Sequence, residues 1–527
     1  MESRADVLRR RDFIRTSLAS AGALTLGPGL WREAFAQAPA ATPGPGPYGP
    51  LGAPDANGIR LPAGFSSRIV ARGLTPVAGT AYVWHIFSDG QATYPTPDGG
   101  WILVSNSEVP GGTGGASAIR FGPNGEIADA YRILADTDTN CAGGATPWGS
   151  WLSCEEYDRG QVWECDPTGQ RDAVPHPALG VFSHEAVCVD PDGKRLYLSE
   201  DEGDGGLYRF TPESYPSLAS GLLEVAVVAE DGSVEWRELP DPSAASAPTR
   251  QQLPEMTRFR RGEGIWFDAG VVYLATTSDS RIHAYDTTME AIEVLYDGEA
   301  TNGPLRDVDN VTVSRSGDLF VCEDADDLNI CLISPEREVA EFLQVTGPQH
   351  TEGELCGAVF DPSGTRLYFS SQRAFGPGVI YEVTGPFRQE RPAERFPPDL
   401  SVAAPESFPA RALGRRGLPV QLRVSRAVDL QVALRTPRLR RVRRGRRRRG
   451  RSVLAAARQL RLGLLRRATP RGRHSLRVRP GKRGRRRLRA LRPRKLELVV
   501  TAVDAAGNRR RISQEIRLTR PRRRRRR

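Results

Sequence analysis

The feature that most constrains the fold of this chain is a short motif that recurs along residues 60–388. Each copy is a turn, mostly rich in Gly and Asp, followed by an apolar strand with a polar or acidic end. Most successive copies start about 45–50 residues apart, the length of one β-propeller blade. The six copies are Asp98–Glu108, Trp148–Glu156, Asp192–Glu202, Asp268–Thr277, Ser316–Asp324 and Asp361–Gln372. The sequence therefore predicts an all-β chain with a six-bladed β-propeller over residues 55–388, and an insertion at 217–255 where one gap is longer.

Carboxylates gather at the ends of these strands. In a propeller, matching strands of successive blades converge on one central channel, so their ends face a single mouth. Like charges so close together repel strongly unless a cation neutralises them. The acidic strand ends therefore predict a metal site, with solvated loop acids as the alternative. The ends concerned are Asn106 and Glu108, Glu155 and Glu156, Glu200, Asp201 and Glu202, and Glu323 and Asp324.

The segment Asn140–Glu156 adds a second kind of ligand. It places Cys141 and Cys154 on either side of a Gly- and Pro-rich turn and ends in two adjacent carboxylates. Thiolate together with carboxylate suits a transition metal, whereas neighbouring carboxylates suit a hard cation such as calcium. The chain has seven cysteines, an odd number, so at least one is expected to be a ligand or a free thiol. Three others are interpreted as small buried apolar residues: Cys165, Cys188 and Cys331.

Charge divides the chain into two parts. Residues 401–527 hold 44 Lys and Arg against 5 Asp and Glu, a net charge of +39. The rest of the chain holds 30 basic and 58 acidic residues, a net charge of −28. We therefore predict a Pro-rich linker at 389–409, an Arg-rich immunoglobulin-like β-sandwich module at 410–520 and a disordered Arg tail at 521–527.

The basic module predicts a polyanionic partner, such as a cell-wall polymer, an anionic lipid surface or nucleic acid. No aromatic residues accompany the arginines as a stacking platform, so specific nucleic-acid recognition is not expected. A solvated basic surface without a dedicated partner is the alternative. The module could also fold back over the acidic propeller as a lid. We expect the protein to be a monomer.

The N-terminus resembles an export signal. A basic stretch at Arg9–Arg15 precedes an apolar run at 17–30 and the small-residue site Ala34-Phe-Ala36. The pattern Arg10-Arg11-x-Phe13 is typical of a twin-arginine signal, with an ordinary Sec signal as the alternative. We predict a signal peptide at 1–36 and a Pro/Gly/Ala linker at 37–54, and therefore a secreted or cell-envelope protein.

The predicted propeller resembles the PhoX-type alkaline phosphatase family. The resemblance covers most of residues 60–388 and none of the basic module. It implies a propeller phosphomonoesterase that acts on phosphorylated small molecules and whose cofactors are an iron pair and calcium ions. The motifs that carry it are Asn140–Glu156, Gly180–Ala186, Tyr197–Phe210, Arg261–Trp266, Asp309–Asn310 and Gly378–Phe387.

The resemblance also implies roles for individual residues. Cys141 would be the thiolate ligand of iron, and Glu156 and Glu185 would be carboxylate ligands beside the iron pair. Arg261 would hold the substrate phosphate, with a salt bridge to Glu263 as its alternative role, and it forms the catalytic set together with Glu156 and Glu185. Glu263 would hold calcium. The remaining metal ligands expected at the same mouth are Glu108, Glu200, Asp201, Asp309 and Glu323.

Two other functions stay open at this point. One is a calcium-dependent propeller hydrolase that acts on lactones or phosphotriesters. Such an enzyme would need a single calcium and no thiolate, so Cys141 argues against it. The other is a non-catalytic surface propeller that binds calcium for stability.

The export signal yields a direct prediction. Replacing both Arg10 and Arg11 by Lys should retain the precursor inside the cell, because the paired arginines are what a twin-arginine signal presents for recognition. Immunoblots of cell fractions measure this, and Arg9→Lys, outside the pair, is the matched control. Unchanged export of the double variant would indicate the Sec route instead.

Overall fold

The computed structural model describes residues 31–34, 39–324, 327–350, 353–437 and 459–519. The chain divides into two compact units. The larger unit is Ala38–Ala393, and the basic unit consists of Met1–Gln37 with Glu394–Arg527. The predicted signal peptide, apart from residues 31–34, and the predicted tail at 521–527 lie outside the described residues.

The described part of the larger unit forms six sheets in chain order, named here sheets 1 to 6. Neighbouring strands within a sheet are antiparallel, except that Thr42–Pro43 pairs in parallel with Glu338–Val345. Tight turns with glycine at positive φ, such as Gly99 and Gly149, connect the first and second strands of sheets 1 and 2. Sheet 1 comprises Ser88–Pro95, Trp101–Ser107, Gly114–Phe121 and Ile127–Thr137. Sheet 2 comprises Asn140–Ala145, Trp151–Glu155, Val162–Cys165 and Val174–Pro175. Sheet 3 comprises His184–Asp190, Arg195–Glu200, Leu207–Ser214, Ser217–Val228 and Val234–Glu238.

The remaining three sheets repeat the pattern. Sheet 4 comprises Gly262–Asp268, Val271–Thr276, Arg281–Asp286 and Ala291–Asp297. Sheet 5 comprises Val308–Val313, Leu319–Glu323, Asn329–Ile333 and Glu338–Val345, with Thr42–Pro43 and Ile59–Arg60 at its edge. Sheet 6 comprises Leu355–Phe360, Arg366–Ser371, Val379–Thr384 and Ser66–Arg72. Short helical turns lie at Pro177–Leu179, Thr249–Gln251, Thr277–Asp279, Gly298–Thr301 and Pro348–His350.

The first strands of the six sheets form a closed ring. Each lies beside the first strand of the next sheet, and that of sheet 6 lies beside that of sheet 1. Sheet 6 is completed by an early segment of the unit, because Ser66–Arg72 pairs with Val379–Thr384. The predicted all-β fold is confirmed, and its arrangement is propeller-like.

Apolar residues fill the spaces between neighbouring sheets. The largest such cluster joins sheets 5 and 6 and is rich in aromatic rings packed edge to face, including Phe320, Phe342, Phe360 and Phe387. Rings in this geometry add to the stability that their buried area gives. The packing between sheets holds the ring of first strands in a fixed geometry. The predicted insertion at 217–255 adds two strands to sheet 3 and the turn that carries Arg250.

The basic unit contains two further sheets that enclose one apolar core. Sheet 7 comprises Trp31–Ala34, Leu400–Ala403, Leu418–Val424 and Gly472–Val478. Sheet 8 comprises Ser407–Pro409, Arg509–Thr519, Lys495–Val503, Val428–Arg435 and Arg461–Thr469. Helices span Ala410–Arg415 and Lys482–Leu491. The strands at 400–403 and 407–409 lie inside the stretch that the sequence predicts as a linker.

The sandwich explains the alternation seen in the sequence of this unit. In Arg509–Thr519, arginines and other polar residues alternate with buried Ile512, Ile516 and Leu518, as expected for a strand with one face on the core. Within the described residues, no helix combines the length and the apolar character that a membrane span needs.

Candidate metal centre

Six residues at equivalent positions form an inner ring in the larger unit. Each is the second residue of the first strand of its sheet. The register between the first and second strands shifts directly beside this residue. Such bulges redirect side chains and are frequent beside active sites. Because the first strands form a closed ring, these six side chains belong to one level of it. The inner-ring residues are Asp89, Cys141, Glu185, Glu263, Asp309 and Cys356.

A second set of equivalent residues forms an outer ring. Each follows directly after the second strand of its sheet. The outer-ring residues are Glu108, Glu156, Asp201, Thr277, Asp324 and Gln372. Gln372 donates to both Asp89 and Glu108 at 2.6 Å, which links the outer ring to the inner one.

Most of both rings line one cavity of about 150 Å³. Of the inner ring, Glu185 and Cys356 lie deeper and are fully buried. Glu354, Arg261 and Arg373 complete the lining. The lining residues are Asp89, Glu108, Cys141, Glu156, Asp201, Arg261, Glu263, Thr277, Asp309, Asp324, Glu354 and Arg373. Eight carboxylates and one thiol therefore share a small space with only two guanidinium groups among the described residues.

Three groups of these residues are close enough to hold cations. In each group the candidate ligand atoms lie within 4.8 Å of one another. Cys141 belongs to the first and second groups, and Glu185 belongs to the second and third. The three groups are therefore linked in a row by these two shared residues. The groups are Asp89 with Glu108 and Cys141, Cys141 with Glu156 and Glu185, and Glu185 with Glu263 and Asp309.

The buried carboxylates lack the partners that a protein interior normally provides. The Oδ1 atom of Asp89 and the Oε2 atom of Glu185 are buried and accept no hydrogen bond within the described residues. Buried polar atoms are nearly always satisfied, so such orphan oxygens require an explanation. Cations bound between the carboxylates would provide it. The donor set of this chain therefore fits a cluster of metal ions.

Burial and mutual repulsion raise the pKa values of these carboxyls. Desolvation and the Asp89 charge raise the pKa of Glu108 to about 7, and the same causes raise that of Glu354 to about 8. Burial, followed by neighbouring carboxylates, raises the pKa of Glu185 and Glu263 well above the ordinary range. In the absence of cations these groups retain protons near neutral pH, and a bound cation would displace them.

The Cys141 thiol experiences the same environment. Its pKa is raised well above the usual value, first by burial and then by Asp89, Glu185 and Glu156. Only a nearby cation would turn it into a thiolate here, because its surroundings are otherwise anionic. Its strand is fixed by Asn106, whose amide donates to the backbone oxygens of Cys141 and Ala142 at 3.1 and 2.8 Å.

Arg261 lies at the opening of the cavity. Its Nε and Nη2 atoms donate to the carboxylate of Asp201, both at 2.9 Å, and Nη2 also lies 3.0 Å from Glu263. The salt bridge to Glu263 that the sequence allowed is therefore present. The Nη1 atom makes no hydrogen bond within the described residues, and 42% of the side chain is exposed. The fixed guanidinium can thus donate to an anion in the cavity.

Besides the deeper Glu185, two residues of the predicted ligand set do not line the cavity. Glu200 accepts from the Tyr208 hydroxyl at 2.6 Å and the Gly206 amide at 3.1 Å. Glu323 accepts from the backbone amides of Arg306 and Asn329 at 2.7 and 3.2 Å. Successive side chains on a strand point to opposite faces. The residue that follows each second strand faces the cavity, so the last residue of that strand faces the loops. Glu200 and Glu323 are such last residues, and their carboxylates accept hydrogen bonds from backbone amides of the loops.

The structure brings the other predicted site residues together. Cys141, Glu156, Arg261 and Glu263 line the cavity together with Glu108, Asp201 and Asp309, and Glu185 lies beneath them. All seven cysteines are free thiols, and Cys165, Cys188 and Cys331 are buried.

Three cavity residues were not predicted from the sequence: Asp89, Glu354 and Arg373. A signal for Asp89 was present, because each inner-ring residue precedes a small residue or Asn. The six pairs are Asp89-Gly90, Cys141-Ala142, Glu185-Ala186, Glu263-Gly264, Asp309-Asn310 and Cys356-Gly357. The small residues are required by close packing: a Cβ atom at Gly90 would lie 2.4 Å from the Ala142 Cα atom.

The family model described as Alkaline phosphatase PhoX matches residues 104–163 and 157–374, about half of the chain. Pseudomonas fluorescens PhoX, solved in complex with vanadate as a transition state analogue, is 17% identical, with a TM-score of 0.53. The match covers 67% of this chain and 98% of that one. A gluconolactonase from Xanthomonas campestris is 16% identical with a TM-score of 0.36, covering 64% of this chain and 99% of that one. None of the curated proteins compared with the chain matches it.

The raised carboxyl pKa values predict how stability depends on pH. In folded, cation-free protein the pKa values of Glu108 and Glu354 are about 7 and about 8. In the unfolded chain both are about 4.3. The folded state therefore binds more protons across this window, and the free energy of unfolding should fall as pH rises through it. Calcium added at the alkaline end should restore it.

Thermal unfolding of dialysed protein between about pH 5 and pH 8 measures this effect. Glu108→Gln removes one of the titrating groups and should flatten the profile, whereas the exposed Glu238→Gln should leave it unchanged. A midpoint that rises with pH in cation-free protein would contradict the assignment.

Proposed function

The chain belongs to the alkaline phosphatase PhoX family, and on this premise we propose that it hydrolyses phosphate monoesters with a cation cluster held in the cavity of the larger unit. The observation that carries the proposal is the meeting of Cys141, eight carboxylates and Arg261 in that one cavity. Hydrolysis of a phosphate ester requires positioning, neutralisation of charge on the phosphate oxygens and an activated oxygen nucleophile. The cavity has groups suited to each requirement.

We propose a division of ligands by chemistry. The group of Cys141, Glu156 and Glu185 would hold iron, because a thiolate favours a transition metal. The two all-carboxylate pairs beside it, Asp89 with Glu108 and Glu263 with Asp309, would hold calcium. Bound there, the cations would activate a water molecule and neutralise charge on the phosphate.

The two arginines would bind and orient the substrate. Arg261 is held by Asp201 through two parallel hydrogen bonds and keeps Nη1 available for a phosphate oxygen. Arg373 lies on the same cavity and packs over the Phe87 ring, with its guanidinium carbon 5.1 Å from the ring centroid. Guanidinium groups bind phosphate through paired hydrogen bonds, so a phosphate between them would be fixed in orientation as well as position.

Water is the nucleophile that these residues favour. Thr277 carries the one hydroxyl among the lining residues described, and its Oγ1 lies 2.5 Å from the Val308 carbonyl and 2.9 Å from Glu263. That hydroxyl is therefore committed to acceptors within the protein. Glu156 lies on the same cavity, and in cation-free protein burial and the Asp201 charge raise its pKa well above the ordinary range.

The choice of substrate tests the reaction class. Protein loaded with iron and calcium should release phosphate from an aryl phosphate monoester, and removal of calcium by a chelator should stop the release. A lactone and an aryl phosphotriester are the matched alternative substrates. Hydrolysis of either of these without hydrolysis of the monoester would favour the calcium-dependent hydrolase, and metal binding without any turnover would favour the structural propeller.

Substitution of Cys141 tests the ligand assignment. Cys141→Ser should remove iron and lower turnover by about a hundredfold or more, since even residues that only support metal ligands cost about 10- to 100-fold when changed. Cys331→Ser is the matched control, because Cys331 is fully buried in the core between sheets 4 and 5 and does not line the cavity. Metal analysis, iron absorption spectra and turnover are measured together. Loss of iron from the Cys331 variant alone would show that the ligand is wrongly assigned.

We also propose that the protein reaches the cell envelope or the exterior by the twin-arginine route. Support comes from Arg10-Arg11-x-Phe13 and the apolar run after it, which lie outside the described residues. A protein exported in the folded state could acquire its cations before export.

A further inference from the structure

The basic unit contains a concavity whose chemistry is opposite to that of the metal centre. It has a volume of about 880 Å³ and lies between the ends of two paired strands of sheet 8 and the start of the helix Lys482–Leu491. Six cationic side chains line it, and no carboxylate does so among the described residues. The six cations are Arg435, Arg461, Arg479, Lys482, Arg483 and Arg487.

Little negative charge faces these cations: among the described residues, Glu497 lies opposite Arg435 on the neighbouring strand. Arg435 lies directly opposite Arg461 in the paired strands, and Arg483 and Arg487 are one helical turn apart. Like charges in both arrangements are destabilising. Within the described part of the chain none of the six forms an ion pair, and the neighbouring Glu497 accepts a hydrogen bond from Gln459 at 2.6 Å instead.

Apolar and close backbone packing positions the helix and the strand that carry most of these cations. The helix lies so near sheet 8 that a Cβ atom on Gly484 would be 1.8 Å from the Leu462 oxygen. Leu488 is buried in the core of the unit. The first turn of the helix has no side-chain cap and no acidic residue, so its unpaired amides add to the positive potential. The concavity is thus a fixed feature of the fold.

We propose that this concavity binds a linear polyphosphate, an anion in which several phosphate groups are linked in one chain. Five of the six cations are arginines, which bind phosphate oxygens in pairs. The volume lies in the range of cavities that enclose a whole ligand. Because the surface is concave, it suits a single chain better than a flat lipid surface. No aromatic residue lines the concavity among the described residues, which disfavours stacking of the bases of single-stranded nucleic acid. The proposal does not depend on the phosphatase function.

The test measures binding of inorganic polyphosphate to the full-length protein in metal-free buffer over a range of salt concentrations. The variant Arg461→Gln/Arg479→Gln/Arg483→Gln should raise the Kd about tenfold. It should also reduce the slope of log Kd against log salt by about 2, because fewer counterions are exchanged. The matched control Arg466→Gln/Arg509→Gln/Arg511→Gln removes the same charge from exposed positions outside the concavity and should change both quantities much less. Replacing Arg461, Arg479 and Arg483 by Lys should keep the salt slope, because the charge is unchanged, but lose part of the affinity, because Lys lacks the paired hydrogen bonds of Arg.

Two further probes test whether a different kind of polyanion binds to the concavity. Vesicles containing anionic lipid and a short DNA duplex are compared with polyphosphate on the same variants. Equal losses in the cavity and control variants, or tighter binding of either vesicles or DNA than of polyphosphate, would overturn the proposal. Loss of polyphosphate binding in the cavity variant alone, with unchanged circular dichroism, would support it.

Discussion

Repulsion among buried carboxylates is the constraint on which the larger unit depends. A closed ring of first strands brings one residue from each of six sheets to a common level, and four of these six residues are acidic. Two arginines offset only part of the charge, and the remaining carboxyls have pKa values raised by burial and by one another. Such a site is stable either when it holds protons or when it holds cations. Its stability, its pH dependence and its proposed chemistry therefore have one physical origin.

The geometry of the site follows from the alternation of side chains along short strands. At the end of each second strand, one residue faces the cavity and its neighbour faces the loops. Asp201 and Asp324 consequently reach the metal centre, whereas Glu200 and Glu323 satisfy backbone amides. The buried loop-facing carboxylates are part of the site's support, because Glu200 also binds Arg250 and so fixes the segment that carries Asp201. Asp201 in turn fixes Arg261.

The two units use charge in opposite ways. The larger unit concentrates carboxylates inside a cavity, where each must be neutralised. The basic unit keeps its apolar residues in a sandwich core and carries its arginines on strand faces, loops and a helix, where water and counterions solvate them. Among its described residues, the concavity beside Lys482–Leu491 collects cations on a shaped surface. Each unit is thereby complementary to ions of the opposite sign.

The amino-acid sequence by itself determined the all-β class, the repeat, the division of charge and the central place of Asn140–Glu156, because each of these depends on local composition and spacing. Turn residues and alternating apolar positions specify strands without reference to distant parts of the chain. Only the tertiary structure decided which acidic residues meet. Asp89 and Glu354 come from segments far apart in sequence and join Cys141 because the ring closes between sheets 6 and 1. Glu200 and Glu323 were indistinguishable from their neighbours in sequence, and the face that each occupies depends on bulges and pairing register. The polyanion-binding concavity likewise depends on the contact between Gly484 and Leu462, which no local pattern could reveal.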